Sequence, residues 1–542
     1  MLTERMIINA LIIGASFILV PFVISSALTF DYTPALFCVV LLGFIVAFFF
    51  LKDTLCIWPL LGGSIAGSLN FLPLPLTATH IFCILLIFYY ITGYILIKQK
   101  LIKLGKTKFL WPILIITLIL LYHNHTLNVR ILGLGGETEG AKPAILIYLV
   151  IFAYFCGINI ATPSVDFLSK VPLYSVIISG LSSIPFLLTT YIPSLAPYVF
   201  SVTDSVNVEA YTDAQSGGTG TAEGGGIGRL GIFGGLGAAL QLYLLCYYPI
   251  GTWLRPTRWW VAGLSFICLT LAVASGYRSI LFGFASFTMI GAWCYYSWRA
   301  LFLPAALYMA AIMLFIASSN NLIHVPENKL PMIAQRTLSF LPGDWDQEAL
   351  ESARASNFFR KNIQDVYIKE YLKKSPWIGN GFSINTKEFN HWGDAMKDGT
   401  GGRDPDYITA KIFIEGKLFH TGWISVYDIV GIIGAMAFVA LGWIEICTAA
   451  HFVFGTKADH RSSLFPFYVW LLCSITSQMV GFFTVFGDFS QCFMGLCVYA
   501  MTLSHLLDVE NTTEAPIVLS ERKGQVEFTG LKGELYGYHS RP

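Results

Sequence analysis

Apolar residues in this chain are grouped in long blocks, separated by charges and by turn residues. About 20 apolar residues in a helix cross a bilayer core of roughly 30 Å, so the blocks read as about fourteen candidate spans. They begin near Met6, Pro34, Leu55, Leu76, Lys108, Pro143, Leu173, Leu230, Trp259, Ser279, Leu301, Thr421, Leu464 and Ser490. The pattern divides the chain into residues 1–318, carrying the first eleven or so spans, a loop over 319–419, a second membrane segment over 420–508 and a polar tail over 509–542. A connection as long as the loop is expected to have structure of its own. It holds an amphipathic stretch, Asn357 to Lys374, which ends at Ser375-Pro376 before a turn with Gly379 and Gly381. This predicts a small helical subdomain. The tail lacks apolar periodicity and is expected to be flexible. The fold expected is an all-α polytopic membrane protein with about 12–14 transmembrane helices.

Composition agrees with lipid as the solvent. Of 542 residues, 55% are hydrophobic and only 12% charged, about half the charged fraction of ordinary globular chains, and the mean hydropathy is +0.64. The formal net charge of +1 gives no field that would select nucleic acid. The eleven cysteines lie mostly inside apolar blocks without metal-ligand or disulfide spacing, and they read as small core residues. The block from Met6 to Phe30 is too long for a secretory signal and has no small-residue cleavage site, so it is expected to remain as a span.

Basic residues orient the spans, because cytoplasmic loops retain them in excess. With Lys98–Lys108 inside, strict alternation also places Arg255, Arg258, Arg299, Lys457 and Arg461 inside, and both chain ends with them. Alternation sends Tyr122–Lys142, Pro193–Arg229, the turn Gly276–Arg278 and the long loop Ser319–Phe419 outside.

Four residues then fall on one side: Arg229 in GGGIGRLGIFGG, Arg278 in ASGYRSILFG, Arg360 in SNFFRKNIQDVY and His420 in KLFHTGWISVYDIVGIIG. An arginine at a span end is usually an interface anchor that reaches for water. Arg278 fits that role least well, being the lone charge in a turn crowded by glycine and serine, where a bulky anion can approach a planar guanidinium. His123 and His125, in YHNHT, read as interface residues. Asp394, Asp398, Asp404 and Asp406, near His391, could be read as a cation site. Their neighbouring glycines and basic residues point instead to a solvated loop.

These motifs resemble those of the O-antigen ligase and polymerase superfamily of membrane glycosyltransferases. Its ligases carry a histidine, then Asn, Ser or Gln, nine residues, and G-x-x-G. Here His420, Thr421, the nine residues Gly422–Val430, Gly431 and Gly434 keep that spacing, with Thr421 departing from the usual residue but retaining a hydroxyl. Arg360, Pro376 and Gly379-Asn380-Gly381-Phe382 resemble the family's loop arginine, proline and G-x-G turn. Ser275-Gly276-Tyr277-Arg278-Ser279 and Arg229 with Gly231-Ile232-Phe233-Gly234 resemble two further segments.

The resemblance implies a GT-C-like fold in a bacterial inner membrane. It implies a polyprenyl-diphosphate-linked glycan as donor, a glycan or lipid acceptor, and inverting transfer that requires no metal and no cofactor. Arg278 and Arg360, with Arg229 as a third, would hold the diphosphate as it gains charge. His420 would take the proton of the acceptor hydroxyl. A lipid-linked glycan flippase or another transporter is the competing expectation. It calls for repeats or for ionisable groups within the membrane.

Overall fold

Helices form over the apolar blocks, with caps and glycines marking where they stop. A computed structural model of the protein describes residues 51–65, 67–69, 76–97, 108–126, 141–192, 194, 199, 203–204, 231–253, 255–295, 310, 313, 332–341, 345–384, 389–393, 404–419, 421–455, 462–484 and 487–520. The candidate spans at Met6, Pro34 and Leu301 lie outside the described residues, as do Arg229, His420, Asp394 and Asp398.

The described chain is predominantly helical. In order come α1 (Trp58–Gly62), α2 (Ala78–Ile97), α3 (Leu110–Thr126), α4 (Ala141–Gly157), α5 (Val165–Ser169), α6 (Val171–Tyr191), α7 (Gly231–Tyr247), α8 (Trp259–Ala274) and α9 (Arg278–Tyr295). After the loop helices α10 (Met332–Leu338), α11 (Gln347–Glu370) and α12 (Pro405–Glu415) follow α13 (Gly422–Phe454), α14 (Phe465–Thr484) and α15 (Phe489–Ser520). Among the described residues, three helical stretches are long and apolar enough to cross a membrane: α13, α14 and Phe489–Glu510 of α15.

Four details go beyond the apolar pattern. The block near Leu55 is not a continuous span: Pro59 opens the short α1, and Gly62 ends it against the backbone of α2, where a Cβ would lie 2.7 Å from Thr79 N. Within the helical fold, three two-residue strands meet: β1 (Ser68–Leu69) pairs antiparallel with β2 (Leu76–Thr77) and with β3 (Thr203–Asp204). The loop helix α11 starts at Gln347 rather than Asn357, since Asp346 caps it by accepting from Glu348 N at 3.1 Å, and it ends at Glu370. Helix α15 runs past Leu507 to Ser520.

Helix α13 lies at the centre, packed against α3, α14 and α15. Helix α15 touches α4, which touches α2, and α7 gathers α6, α8 and α9. The largest core is built from α2–α4 and α13–α15, and a second from α7–α9. A separate small core joins α11 and α12 to the start of α13 through Ile363, Val366, Tyr367, Ala410, Ile414, Phe419 and Ile424. The subdomain expected in the loop therefore has its own apolar interior and shares it with α13.

Candidate active site

The G-x-x-G segment does not continue a straight helix. Gly431 has φ 66° and ψ −168°, a backbone state open essentially to glycine alone, and it breaks α13 into two arms. The break is sharp. Gly422 abuts the Phe482 carbonyl, and the Phe438 ring lies 4.9 Å from that of Phe482, although sixteen residues of straight helix would span about 24 Å.

A helix break leaves carbonyls and N–H groups without intrahelical partners. Here the turn after Pro376 supplies them. Asn380 N and Gly381 N donate to the carbonyls of Asp428 and Ile429 at 2.5 and 3.0 Å, in the last turn of the first arm. Ile432 N and Ile433 N, at the start of the second arm, donate to the carbonyls of Pro376 and Trp377 at 2.9 and 3.0 Å. Side chains have no room in this join. A Cβ on Gly379 (φ 76°) would sit 2.6 Å from Asp428 O and Gly431 N, and one on Gly431 would sit 2.5 Å from Gly379 N. The two glycine motifs, about fifty positions apart in the chain, are thus the two halves of one backbone joint.

Side chains lock the joint from three directions. Asp428, only 1% exposed, accepts at Oδ1 from Tyr367 Oη (3.2 Å) and Asn380 Nδ2 (2.9 Å), and at Oδ2 from Lys417 Nζ (2.5 Å). A carboxylate this buried is tolerable only when paired and hydrogen-bonded. Burial, then the Asp428 charge and hydrogen bond, push the Tyr367 phenol well above its usual range. His123 on α3 shares a 2.8 Å hydrogen bond between Nε2 and the Ile378 carbonyl, and its ring fills the place where a Gly381 side chain would stand. His123 is therefore buried rather than an interface residue, whereas His125 is exposed. Tyr427 donates to the Leu372 carbonyl at 2.8 Å, tying the first arm to the end of α11.

The other motifs meet one another as well. Gly234 of α7 packs on Ser275 and Ile280, so the segment after Arg229 sits directly on the Arg278 turn. Arg278 begins α9, and its Nη2 donates to the Ala353 carbonyl of α11 at 3.1 Å. Arg360 lies seven residues further along α11, about 10 Å by helical rise. Arg360 lines a cleft of about 180 Å³ with Gln364, Thr421, Gly422, Trp423, Phe482, Phe483 and Thr484. That volume is below the roughly 300–1,000 Å³ of small-molecule pockets, so it suits part of a ligand. Thr421 precedes α13 in extended conformation, and its hydroxyl does not cap the helix. His420 immediately precedes Thr421 in sequence. Gly434 packs on Val430 and Ile119.

A second polar cluster closes the subdomain. Lys411 pairs with Glu370 and donates to Tyr371 Oη at 2.9 Å, Tyr371 donates to Glu415, and Tyr407 donates to Glu370 at 2.8 Å. Burial raises the Glu370 carboxyl. Hydrogen bonds from Lys411 and Tyr407, with the charges of Lys411 and Lys374, outweigh that and hold it below the usual glutamate value. Of the acidic loop residues, Asp404 is the N-cap of α12, accepting from Asp406 N at 3.0 Å.

Sequence reasoning missed Asp428 and Lys417. The available signal was that Asp428 is the lone acid between Glu415 and Glu445, in an otherwise apolar run. No protein-family model matches this chain, and no curated protein matches it.

Proposed function

We propose that the protein is a polytopic, GT-C-like glycosyltransferase of the O-antigen ligase and polymerase type. It moves a glycan from a polyprenyl diphosphate to an acceptor hydroxyl at the outer face of a bacterial inner membrane. The observation that carries this reading is the cleft where Arg360 meets Thr421, the residue after His420. One cation, an amide and two hydroxyls stand there beside three aromatic rings, a lining suited to a phosphate oxygen next to a sugar face.

In this scheme His420 takes the acceptor proton as the hydroxyl attacks the anomeric carbon and the lipid diphosphate departs with the bonding pair. Arg360 stabilises the charge that develops on the leaving group. Arg278 acts partly through structure, since its bond to the Ala353 carbonyl steadies the helix that carries Arg360. Arg229, which precedes α7 in sequence, is the third and weaker cation of the diphosphate clamp.

His420→Ala and Arg360→Ala in the native host test the reading. Surface glycan is followed by gel, lipid-linked precursor by extraction, and protein abundance in the membrane as control. Loss of glycan with precursor accumulating at normal abundance is expected, the base alone contributing about 10²–10⁴ in rate. Wild-type glycan in both variants sinks it.

One observation favours the transporter reading. Glu445 on the second arm of α13 is fully buried, and neither carboxyl oxygen has a hydrogen-bond partner among the described residues. Intramembrane acids of this kind mark ion and substrate paths. Glu445→Gln separates the readings: loss of lipid-linked glycan translocation into vesicles, with glycan transfer intact, would favour a flippase.

A further inference from the structure

Lys417 stands out among the described residues as the non-glycine residue with positive φ, at 57°. It lies just beyond α12, where the chain turns back so that Leu418 N reaches the Phe413 carbonyl at 2.9 Å. Glycine is the usual occupant of such a helix-ending position, because a side chain there crowds the following carbonyl. Lysine at this place needs a compensating interaction, and its ammonium has one: the 2.5 Å ion pair to Asp428, with Lys417 14% and Asp428 1% exposed.

The pair spans the start of α13. Lys417 lies four residues before Thr421, and Asp428 seven residues after it. The same carboxylate is held from α11 by Tyr367 and from the glycine turn by Asn380. One side chain therefore joins the exit of α12, the helix that carries Arg360, the joint at Gly431 and the first arm, whose opening residues Thr421, Gly422 and Trp423 line the cleft.

We infer that Asp428, through Lys417, is the positioning residue that sets where the chain enters α13, and so the placement of the Thr421 side of the cleft against Arg360. This rests on the transferase reading for its catalytic consequence, though not for the clamp itself. Asp428 does not line the cleft, so it is not assigned contact with substrate.

The test uses the full-length protein in lipid nanodiscs, with Asp428→Asn, Lys417→Gln, Lys417→Gly and Lys417→Arg. Amide hydrogen exchange is read on peptides covering 416–430. Transfer is followed with lipid-linked glycan extracted from the native host. Asp428→Asn and Lys417→Gln are expected to speed exchange over 418–425 at least tenfold. They should also lower turnover at least tenfold while leaving the donor concentration for half-maximal rate within about twofold; Lys417→Arg should restore both.

Lys417→Gly is the discriminating variant. It keeps the left-handed turn without strain but removes the ammonium, so it should behave like Lys417→Gln. Wild-type exchange and turnover in Lys417→Gly would mean that the pair merely offsets strain, which overturns the inference. Unchanged exchange in Asp428→Asn overturns it too. Faster exchange with wild-type turnover would overturn the positioning role. Absence of transfer by the wild type would fail the functional reading, with the exchange result still deciding the clamp. Should Asp428→Asn not accumulate, Lys417→Gln, which leaves the carboxylate its other donors, carries the test.

Discussion

Helices α13 and α15 are nearly equal in length, 33 and 32 residues, and each contains a stretch apolar enough to cross a bilayer. Their backbones differ. Helix α15 has no residue of positive φ, whereas α13 is broken at Gly431 and rejoined through a turn from another part of the chain. The 23 residues from Ile432 to Phe454 still measure about 34 Å, enough for a hydrocarbon core of about 30 Å. Breaking α13 thus leaves an arm long enough to cross a membrane. It frees the first arm to lie in the loop subdomain, where Ile424 and Tyr427 pack and Thr421 lines the cleft. A continuous helix supplies length; a broken one supplies length and one wall of a cleft.

That contrast can be broken most severely at the joint. Gly431→Ala would drive a Cβ into the backbone of Trp377 and Ile378 while forbidding the residue its φ and ψ. A loss above about 3 kcal/mol is expected, seen as little or no membrane-inserted protein and a collapsed melting transition. A stable, active Gly431→Ala protein would mean that the break is dispensable.

His123→Ala comes next. It removes the hydrogen bond to the Ile378 carbonyl and the ring beneath Gly381, for an expected loss of about 1–3 kcal/mol in thermal or denaturant melts. In the unbroken partner, Gly495→Ala should cost about 1 kcal/mol or less, because the new methyl meets the Gln478 side chain at 2.5 Å and a side chain can move where a backbone cannot. Equal losses at Gly431 and Gly495 would erase the distinction between the two helices.

The smallest effect concerns pH. The folded state lowers the Glu370 pKa, so the pairing with Lys411 contributes stability that is fully present above the unfolded glutamate value, about 4.3. That contribution fades as pH falls through the lower folded value. Glu370→Gln should therefore flatten the fall of melting temperature between pH 5 and about pH 3, with little change at Gly431 as judged by exchange. A steeper fall in the variant would reverse the sign assigned here.

Much of the helix pattern was legible because hydropathy is a local sum. The helix starts at Ala78, Leu110, Ala141, Val171, Gly231, Trp259, Arg278, Gly422, Phe465 and Phe489 fall beside the block edges read at Leu76, Lys108, Pro143, Leu173, Leu230, Trp259, Ser279, Thr421, Leu464 and Ser490. The site was legible in part. Glycines at 379, 381, 431 and 434 and the arginines at 278 and 360 were visible as residues at suggestive spacings. Gly431 reads equally well as part of a straight apolar helix, since one glycine at a helix-packing spacing carries no mark of its φ. His123 passed for an interface residue for a similar reason: what buries it is the turn at 378–381, far away in the chain.

By itself, then, the sequence determined where apolar helices form, which residues can adopt left-handed backbone, and which cations and hydroxyls are available for chemistry. Only the tertiary structure decided that the turn after Pro376 enters the break at Gly431, that Asp428 gathers Lys417, Tyr367 and Asn380, and that Arg360 meets Thr421 in one cleft. The physical reason is the range of the forces involved. Helix formation in an apolar run satisfies each backbone group within four residues. The groups released at a break, and a carboxylate taken out of water, can be satisfied only by whichever distant segment packing brings to them.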